Sequence, residues 1–452
     1  MMCLLTFISV GCQQYHKHPL DLESHRTAVT ERLRDPAAIE TFHQQLQELE
    51  AHVPETFSFA DGLSLAEGEV VGLLYNAELR TLRAAAGVAR ATLEHAGLWD
   101  DPEFGFDGAE ILSSSSPFEY GLVANLTIPV SGRLDVEKAR AGAEHEVALR
   151  RIVNAEWSLR MRLREGWTSW ALARERVELL STTIDETASI LELAEALVTA
   201  GELNRIEQRL LQMDLLTRSD ERAEAELHES VVRLELLSLM GLPGNADVEL
   251  IPAIAESTIA NDDDFVARLI ASNPLLAIER AAYQAAEESL RLEVRKQYPD
   301  ITIGSGYGSE GDDRLLLGVS LPVPILNGNR QAIAEAHAAR EAARTAAEVT
   351  FERLANELYA QQARLKALDA LQARFEADIL PLLDEQAREV QATAALGDVN
   401  VLVLLETSQR VFDARARLLE LKERLVMSEL AIVELLGPAV ERGPLPVSGD
   451  SQ

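Results

Sequence analysis

Cysteine is almost absent from this chain. Its 452 residues include only two, Cys3 and Cys12, both at the extreme N-terminus, so no disulfide can staple the body of the fold. Aromatic residues make up 5%. Ala, Leu, Glu and Arg dominate instead, which is the composition of long helices and coiled coils and not of a mixed α/β enzyme. Basic residues are outnumbered, 42 Lys and Arg against 74 Asp and Glu, for a formal net charge of −32. That balance argues against nucleic acid as a partner, because its phosphates would be repelled; most of the surplus acid reads as solvated helix surface. No stretch reaches the roughly 20 apolar residues of a membrane-spanning helix, so a membrane role would have to use strands or lipid. Methionines are few, and His95, His145, His228 and His337 are scattered, so no metal ligand set emerges. The "HKH" of His16 to His18 lies near the N-terminus and reads as idle. No Ser/His/Asp or Cys/His constellation can be assembled and no cofactor is implied, so the chain does not read as an enzyme. "GSGYG" (Gly304 to Gly308) has no helix N-terminus after it, so it fits glycines packed in a strand better than a phosphate loop.

What the chain does have is the same text written twice. "YNAELRTLRAAAGVARA" from Tyr75 is similar to "SNPLLAIERAAYQAAEE" from Ser272, and "ANLTIPVSGR" from Ala124 to "VSLPVPILNGNR" from Val319. Asn76 and Asn273, Pro102 and Pro299, Gly201 and Gly397, and Gly241 and Gly437 are all about 196 to 197 residues apart, which indicates duplication. Each copy predicts a helix opening after Asn76 or after Ser272–Asn273–Pro274, a good cap with proline in the first turn. Two strands follow: Phe104 to about Leu112 and Glu119 to Pro129, then Asp300 to Tyr307 and Leu315 to Pro322, joined by the loops "SSSSP" and "GSEGDD". A prolyl elbow then leads to a helix of roughly 65 residues, about 100 Å at about 1.5 Å per residue. In the second copy Pro381 is expected to kink it. The helix breaks at Gly201 or Gly397, where glycine supplies a left-handed turn, and a returning helix of roughly 35 residues runs to Gly241 or Gly437. Leu418, Leu421, Leu425, Ser428, Ile432 and Leu435 alternate three and four apart, the seam of helices packed as a coiled coil. Helices of that length bury their stripes against one another in a bundle or tube. Asp262 to Asp264 read as caps of the helix after the connector that follows Pro252.

Each strand has about the 8 to 11 residues of a tilted strand crossing an outer membrane. Leu315, Leu317, Val319 and Leu321 share one face, opposite Leu316, Gly318 and Ser320; Leu122, Ala124, Leu126 and Ile128 alternate with Val123, Asn125, Thr127 and Pro129. One apolar and one small or polar face suits lipid outside and water inside. An ordinary half-buried sheet is the plainer alternative for any single strand. Four strands cannot close a membrane barrel, which needs at least about eight, so the chain would have to oligomerise, and three copies would supply twelve.

The duplication, the strand "YPDITIGSGYG", the elbow "LGVSLPVPILNGNRQAIAEA" and the turns "GELN" and "GDVN" resemble those of the TolC-type outer-membrane efflux proteins, most closely the branch serving heavy-metal cation exporters. The resemblance covers nearly all of the chain after about Ser58. It implies a mainly α fold with a β-barrel section: long helical hairpins forming an α-helical barrel in the periplasm, four membrane strands per protomer, and a homotrimeric twelve-stranded barrel in outer-membrane lipid. It implies work as the passive duct of a tripartite efflux system in a Gram-negative outer membrane, with a periplasmic adaptor protein and an inner-membrane pump as partners. Heavy-metal cations, drugs or a secreted protein are the cargo classes; a soluble coiled-coil scaffold or adaptor is the rival of another kind. By position, the elbow residues are Pro129, Gly132, Pro322, Pro324 and Gly328, where proline ends sheet pairing. The periplasmic tip and gate residues are Gly201, Glu202, Asn204, Arg205, Glu207, Gly397, Asp398, Asn400 and Glu406. The run Val401 to Leu405 stands where many members place an acidic ring, so a charged gate is not expected in the second copy. The expected organisation is a signal and lipoprotein segment 1–12, an N-terminal extended segment 13–60, a first unit 61–250, a second 251–440, and a flexible tail 441–452. "MMCLLTFISVGCQQ" is apolar up to Gly11–Cys12 and looks like a lipoprotein cleavage box that would leave Cys12 lipidated; it lacks a leading basic residue, which a start codon further upstream would supply.

Overall fold

The structure is a computed structural model, and it describes residues 15–34, 36–48, 54, 57–58, 61–110, 118–256, 264–309, 312–395, 400–438 and 443–445. Cys3, Cys12, Gly397 and Asp398 lie outside the described residues, as do the serine-rich loop at 113–116 and Asp262 and Asp263.

The chain opens with α1 (Leu22–Thr30) and α2 (Pro36–Glu48), where the sequence had suggested an extended segment. Asp21 caps α1 with its carboxylate, and Ile39, Phe42 and Leu46 of α2 are fully buried, so a core-facing stripe at helical spacing is what folds this region. Next come α3 (Leu65–Tyr75), α4 (Ala77–Glu94), β1 (Glu103–Ala109), β2 (Glu119–Ile128), α5 (Arg133–Ala200) and α6 (Arg205–Leu239). The same order then recurs: α7 (Phe265–Ser272), α8 (Pro274–Arg295), β3 (Ile301–Ser309), β4 (Asp313–Ser320), α9 (Arg330–Arg374), α10 (Leu380–Ala395) and α11 (Val401–Leu436). The short helix α3 was not expected, whereas α7 is the helix expected after the acidic caps. Ser64 and Glu67 close a reciprocal capping box on α3, a signature present in the sequence, and Asp264 caps α7 through Ala267 N–H.

Matching contacts hold both halves. Asn76 donates to Leu239 O at 2.8 Å and accepts from Leu79 N at 3.1 Å; Asn273 donates to Leu435 O at 2.8 Å and accepts from Leu276 N at 2.9 Å. Each asparagine thus caps one helix and ties its start to the end of the returning helix. The glycines that end those returning helices, Gly241 (φ 72°) and Gly437 (φ 74°), lie so close to Tyr75 O and Ser272 O that a Cβ would collide with backbone.

The core is strung along α5, whose 68 residues extend about 100 Å. Near the middle, Leu159, Leu163, Trp167 and Trp170 pack against α2, α3 and the end of α6. Further along, Leu180 meets Ala225, Phe412 and Ala416, and at the far end Ala194 meets Leu211 and Val401. α5 therefore packs on α6 as a hairpin and on α11 of the other hairpin. On α11 four of the six predicted seam residues, Leu421, Ser428, Ile432 and Leu435, are buried and Leu418 and Leu425 are half-buried, while a second stripe of Phe412, Ala416, Val426 and Leu430 faces the α5–α6 hairpin. Where a kink was expected at Pro381, the helix shows a π-turn just before it, Phe375–Ile379, in which Leu380 N–H bonds back to Phe375 O. It absorbs the backbone mismatch just ahead of the proline, which has no N–H to give.

Asn273→Ala would strand a buried carbonyl and a helix-terminal N–H. It should lower stability by about 1–3 kcal/mol, read as a fall in the thermal unfolding midpoint of the detergent-extracted protein, with Asn76→Ala behaving alike.

Candidate functional site: sheet faces, elbows and hairpin tips

The four strands form one antiparallel sheet in the order β1-β2-β3-β4. Its register sorts the side chains. Phe106, Leu122, Tyr307 and Leu315 lie across one row, and Phe104, Ala124, Ser305 and Leu317 across another. Leu126, Ile303 and Val319 continue the same face, and the Tyr120 and Tyr307 rings lie 6.3 Å apart on it. The opposite face carries Glu103, Asp107, Asn125, Thr127, Thr302, Arg314 and Ser320, with Gly105, Gly121, Gly304, Gly306, Gly308 and Gly318 between them, and Val123 and Leu316 as its apolar members. Thr127 and Thr302 hydrogen-bond there at 3.0 Å. Among the described residues no helix lies along either face. The apolar face is accordingly bare: Leu317 is 79% exposed and Phe104 81%. Each such side chain left in water forgoes about 1.5–3 kcal/mol, so this face needs an apolar medium that the chain itself does not provide.

Both elbows turn sharply. Val130 N–H bonds to Ile128 O at 2.9 Å across Pro129, and Ile325 N–H to Val323 O at 2.9 Å across Pro324. The long helices then start after left-handed residues: Gly132 (φ 69°) before α5, Gly328 and Asn329 (both φ 55°) before α9. Asn329, strained there as a non-glycine, is held by its amide, which donates to Glu293 O at 2.8 Å and to the Glu293 carboxylate at 2.9 Å.

The first elbow is locked by Arg133, which the sequence had not singled out. It donates to Asp300 at 2.7 Å, Asp100 at 2.8 Å and Glu137 at 2.9 Å, while the Ser131 hydroxyl donates to Asp300 at 2.8 Å. Burial works against the Asp300 carboxylate, but the hydrogen bonds from Arg133 and from the Ser131 hydroxyl and N–H outweigh it and hold its pKa below the ordinary aspartate value. The bond to Asp300 in turn holds the guanidinium pKa above its usual value. Only the fold joins the approach to β1, the start of α5 and the foot of β3, so no local pattern announces this cluster.

At the tip of the first hairpin Gly201 (φ 80°) ends α5, and Glu202 N–H returns to Leu197 O at 2.9 Å. Asn204 caps α6 through Ile206 N–H at 3.0 Å, and Glu207 reaches back to Asn204 N–H at 3.2 Å, closing a capping box. Glu202 and Arg205 are exposed. At the second tip Asn400 caps α11 through Val403 N–H at 3.2 Å, and exposed Glu406 pairs with Arg410 one turn on at 2.7 Å. The apolar run there is a contact: Val401, 1% exposed, seats between Ala194 and Leu211 and so fastens one hairpin tip to the other. Its i, i+3 spacing to Leu404, also buried, was the available signal. Higher up, buried Arg218 of α6 stacks on Phe412 of α11, 4.1 Å from its centroid, and bonds Glu221 at 3.0 Å. No helix is long and apolar enough to cross a membrane, and no group of three or more potential metal ligands gathers, among the described residues.

The Asp300 carboxylate contributes stability that is complete above about pH 4, its range in the unfolded chain, and is lost as pH falls through its lower folded value. Asp300→Asn should therefore lower stability at pH 7 by about 1–3 kcal/mol and flatten its dependence on pH below about 4. Unfolding followed by circular dichroism across that range would check both.

No family model matches the chain. It is 23% identical over 331 residues to the cobalt-zinc-cadmium resistance protein CzcC of Cupriavidus metallidurans, covering 69% of this chain and 76% of that one. The solved structure of CusC superposes with a TM-score of 0.72 at 15% identity over 82% of this chain and 92% of that one. The outer membrane protein VceC of Vibrio cholerae does so at 0.69 and 16% over 82% and 96%. The open state of the MtrE outer membrane channel of Neisseria gonorrhoeae gives 0.70 and 17% over 82% and 88%.

Proposed function

We propose that this chain, whose fold is that of the TolC-type outer-membrane channels and whose relatives are channel proteins and not enzymes, is the outer-membrane duct of a tripartite efflux system. The observation that carries the reading is the bare sheet. It has an apolar face, a mostly polar and glycine-rich face, no helix over either among the described residues, and two open edges at β1 and β4. In lipid every backbone group must be paired, so such edges are tolerable only in a closed barrel. Joining β4 of one copy to β1 of the next closes it, and three copies give twelve strands. A soluble scaffold or adaptor has no use for such a sheet.

The helices support the same assembly. Ile206, Met213, Leu227 and Leu234 of α6 are exposed at multiples of seven residues, and Val349, Tyr359, Leu371 and Leu382 are exposed on α9 and α10. Stripes of this kind fit neighbouring copies packed side by side into a helical tube, which in this reading lies in the periplasm with Cys12 as a lipid anchor. The matching contacts at Asn76 and Asn273 and at Gly241 and Gly437 support two units, 61–250 and 251–440, descended from one. The tips at Gly201–Glu207 and Gly397–Glu406 are the gate that an adaptor and pump engage. Export is passive, and the cobalt-zinc-cadmium relative favours metal cations over drugs or proteins as cargo.

The extracted oligomer should form discrete, cation-selective conductance steps in planar bilayers and have the mass of three chains; a non-conducting monomer would sink the reading. Replacing Glu207 and Glu406 together by Gln keeps the capping geometry of Glu207 and removes only charge. It should shift the reversal potential in a salt gradient toward weaker cation preference, and unchanged selectivity would exclude acids at the tip as its source.

A further inference from the structure

The first elbow is closed within one copy because β2, which runs into it, has β3 as its neighbour: Arg133 at the start of α5 reaches Asp300 at the foot of β3. β4 runs into the second elbow, and its outer side has no strand; the same is true of β1. The counterpart of Arg133 is Arg330, the first residue of α9, which also follows a left-handed residue. The counterpart of Asp300 is Glu103, the first residue of β1. Both pairs of counterparts are 197 positions apart in the chain. Arg330 and Glu103 are exposed, and neither makes an ion pair or side-chain hydrogen bond with any described residue.

We infer that Arg330 of one copy pairs with Glu103 of the next, repeating across the seam between copies the clamp that Arg133 and Asp300 make inside each. The inference rests on the multi-copy barrel proposed above. Antiparallel closure of β4 onto the next β1 brings the end of one strand beside the start of the other, so the two charges arrive at the same level. The second elbow is longer, Pro322 to Arg330 against Pro129 to Arg133, and the extra chain carries Ile325 and Leu326, both well exposed. The same closure sets these beside Leu98 and Trp99 of the next copy, also exposed, so an apolar contact flanks and partly desolvates the ion pair. Each junction between strand and helix around the tube, whether inside a copy or between copies, then carries an arginine–carboxylate clamp.

The test uses the full-length protein extracted from the outer membrane, with the temperature at which its oligomer dissociates in detergent as the readout. Glu103→Arg and Arg330→Glu should each lower that temperature, and the double reversal should recover more than half of the loss. Because a reversal can also impair assembly, a second variant places cysteines at both positions, Glu103→Cys with Arg330→Cys. On mild oxidation it should give covalent dimers and trimers that each single cysteine variant does not. An intact oligomer with no inter-copy cross-link, or a double reversal no better than either single one, would overturn the seam while leaving the channel reading in place. An unmodified chain that never leaves the monomeric state would overturn both.

Discussion

Everything in this molecule answers to a sheet that its own chain leaves uncovered. Four strands present apolar side chains on one side and mostly glycine with polar and charged groups on the other, and both outer strands keep a row of unpaired backbone groups. In a soluble domain a helix would cover the apolar side, yet among the described residues no helix lies along the sheet and the helices pack on each other. Water cannot be the medium on the apolar side and hydrocarbon cannot be the medium at the edges. The proposed ring of several copies in lipid would satisfy both conditions together.

That arrangement places the mechanical burden on the strand-to-helix junctions. Each strand pair must stop pairing and turn within a few residues into a helix of up to 68 residues. Proline ends the ladder, a left-handed residue redirects the chain, and a charged clamp or an amide holds the new direction: Arg133 with Asp300 at one elbow, Asn329 with Glu293 at the other. Within one copy the two elbows solve one problem with different chemistry. The second holds Asn329 in a conformation that glycine would adopt without strain; its Cβ makes that conformation costly and its side-chain amide anchors it.

Below the elbows, stability is distributed and not gathered in one core. Apolar clusters recur along α5, and the two hairpins touch through Phe412, Val401 and the buried Arg218. Such contacts are local, so the tips can part without unfolding the middle, where the tryptophans and the asparagine caps hold α3, α5 and both returning helices. The proposed duct, sealed at one end and opened on demand, would draw on that gradation.

The sequence by itself determined the order of elements, the duplicated pattern, the alternation of the strands and the glycines at the helix turns, because each rests on period, capping or proline, all of them local. It led to helix starts at Asn76 and Asn273 that the caps confirm to the residue, and to an irregularity at Pro381 whose form, a π-turn, depends on how the helix rejoins its ladder. It did not announce α1 to α3 as helices, although Ser64 with Glu67 and the stripe of Ile39, Phe42 and Leu46 were there to read. Only the tertiary structure decided the Arg133–Asp300 clamp, the seating of Val401 between the hairpins and the stacking of Arg218 on Phe412. These join residues from one half of the chain to residues of the other, and no periodicity in a linear sequence records which side chains meet when two long helices fold back alongside two more.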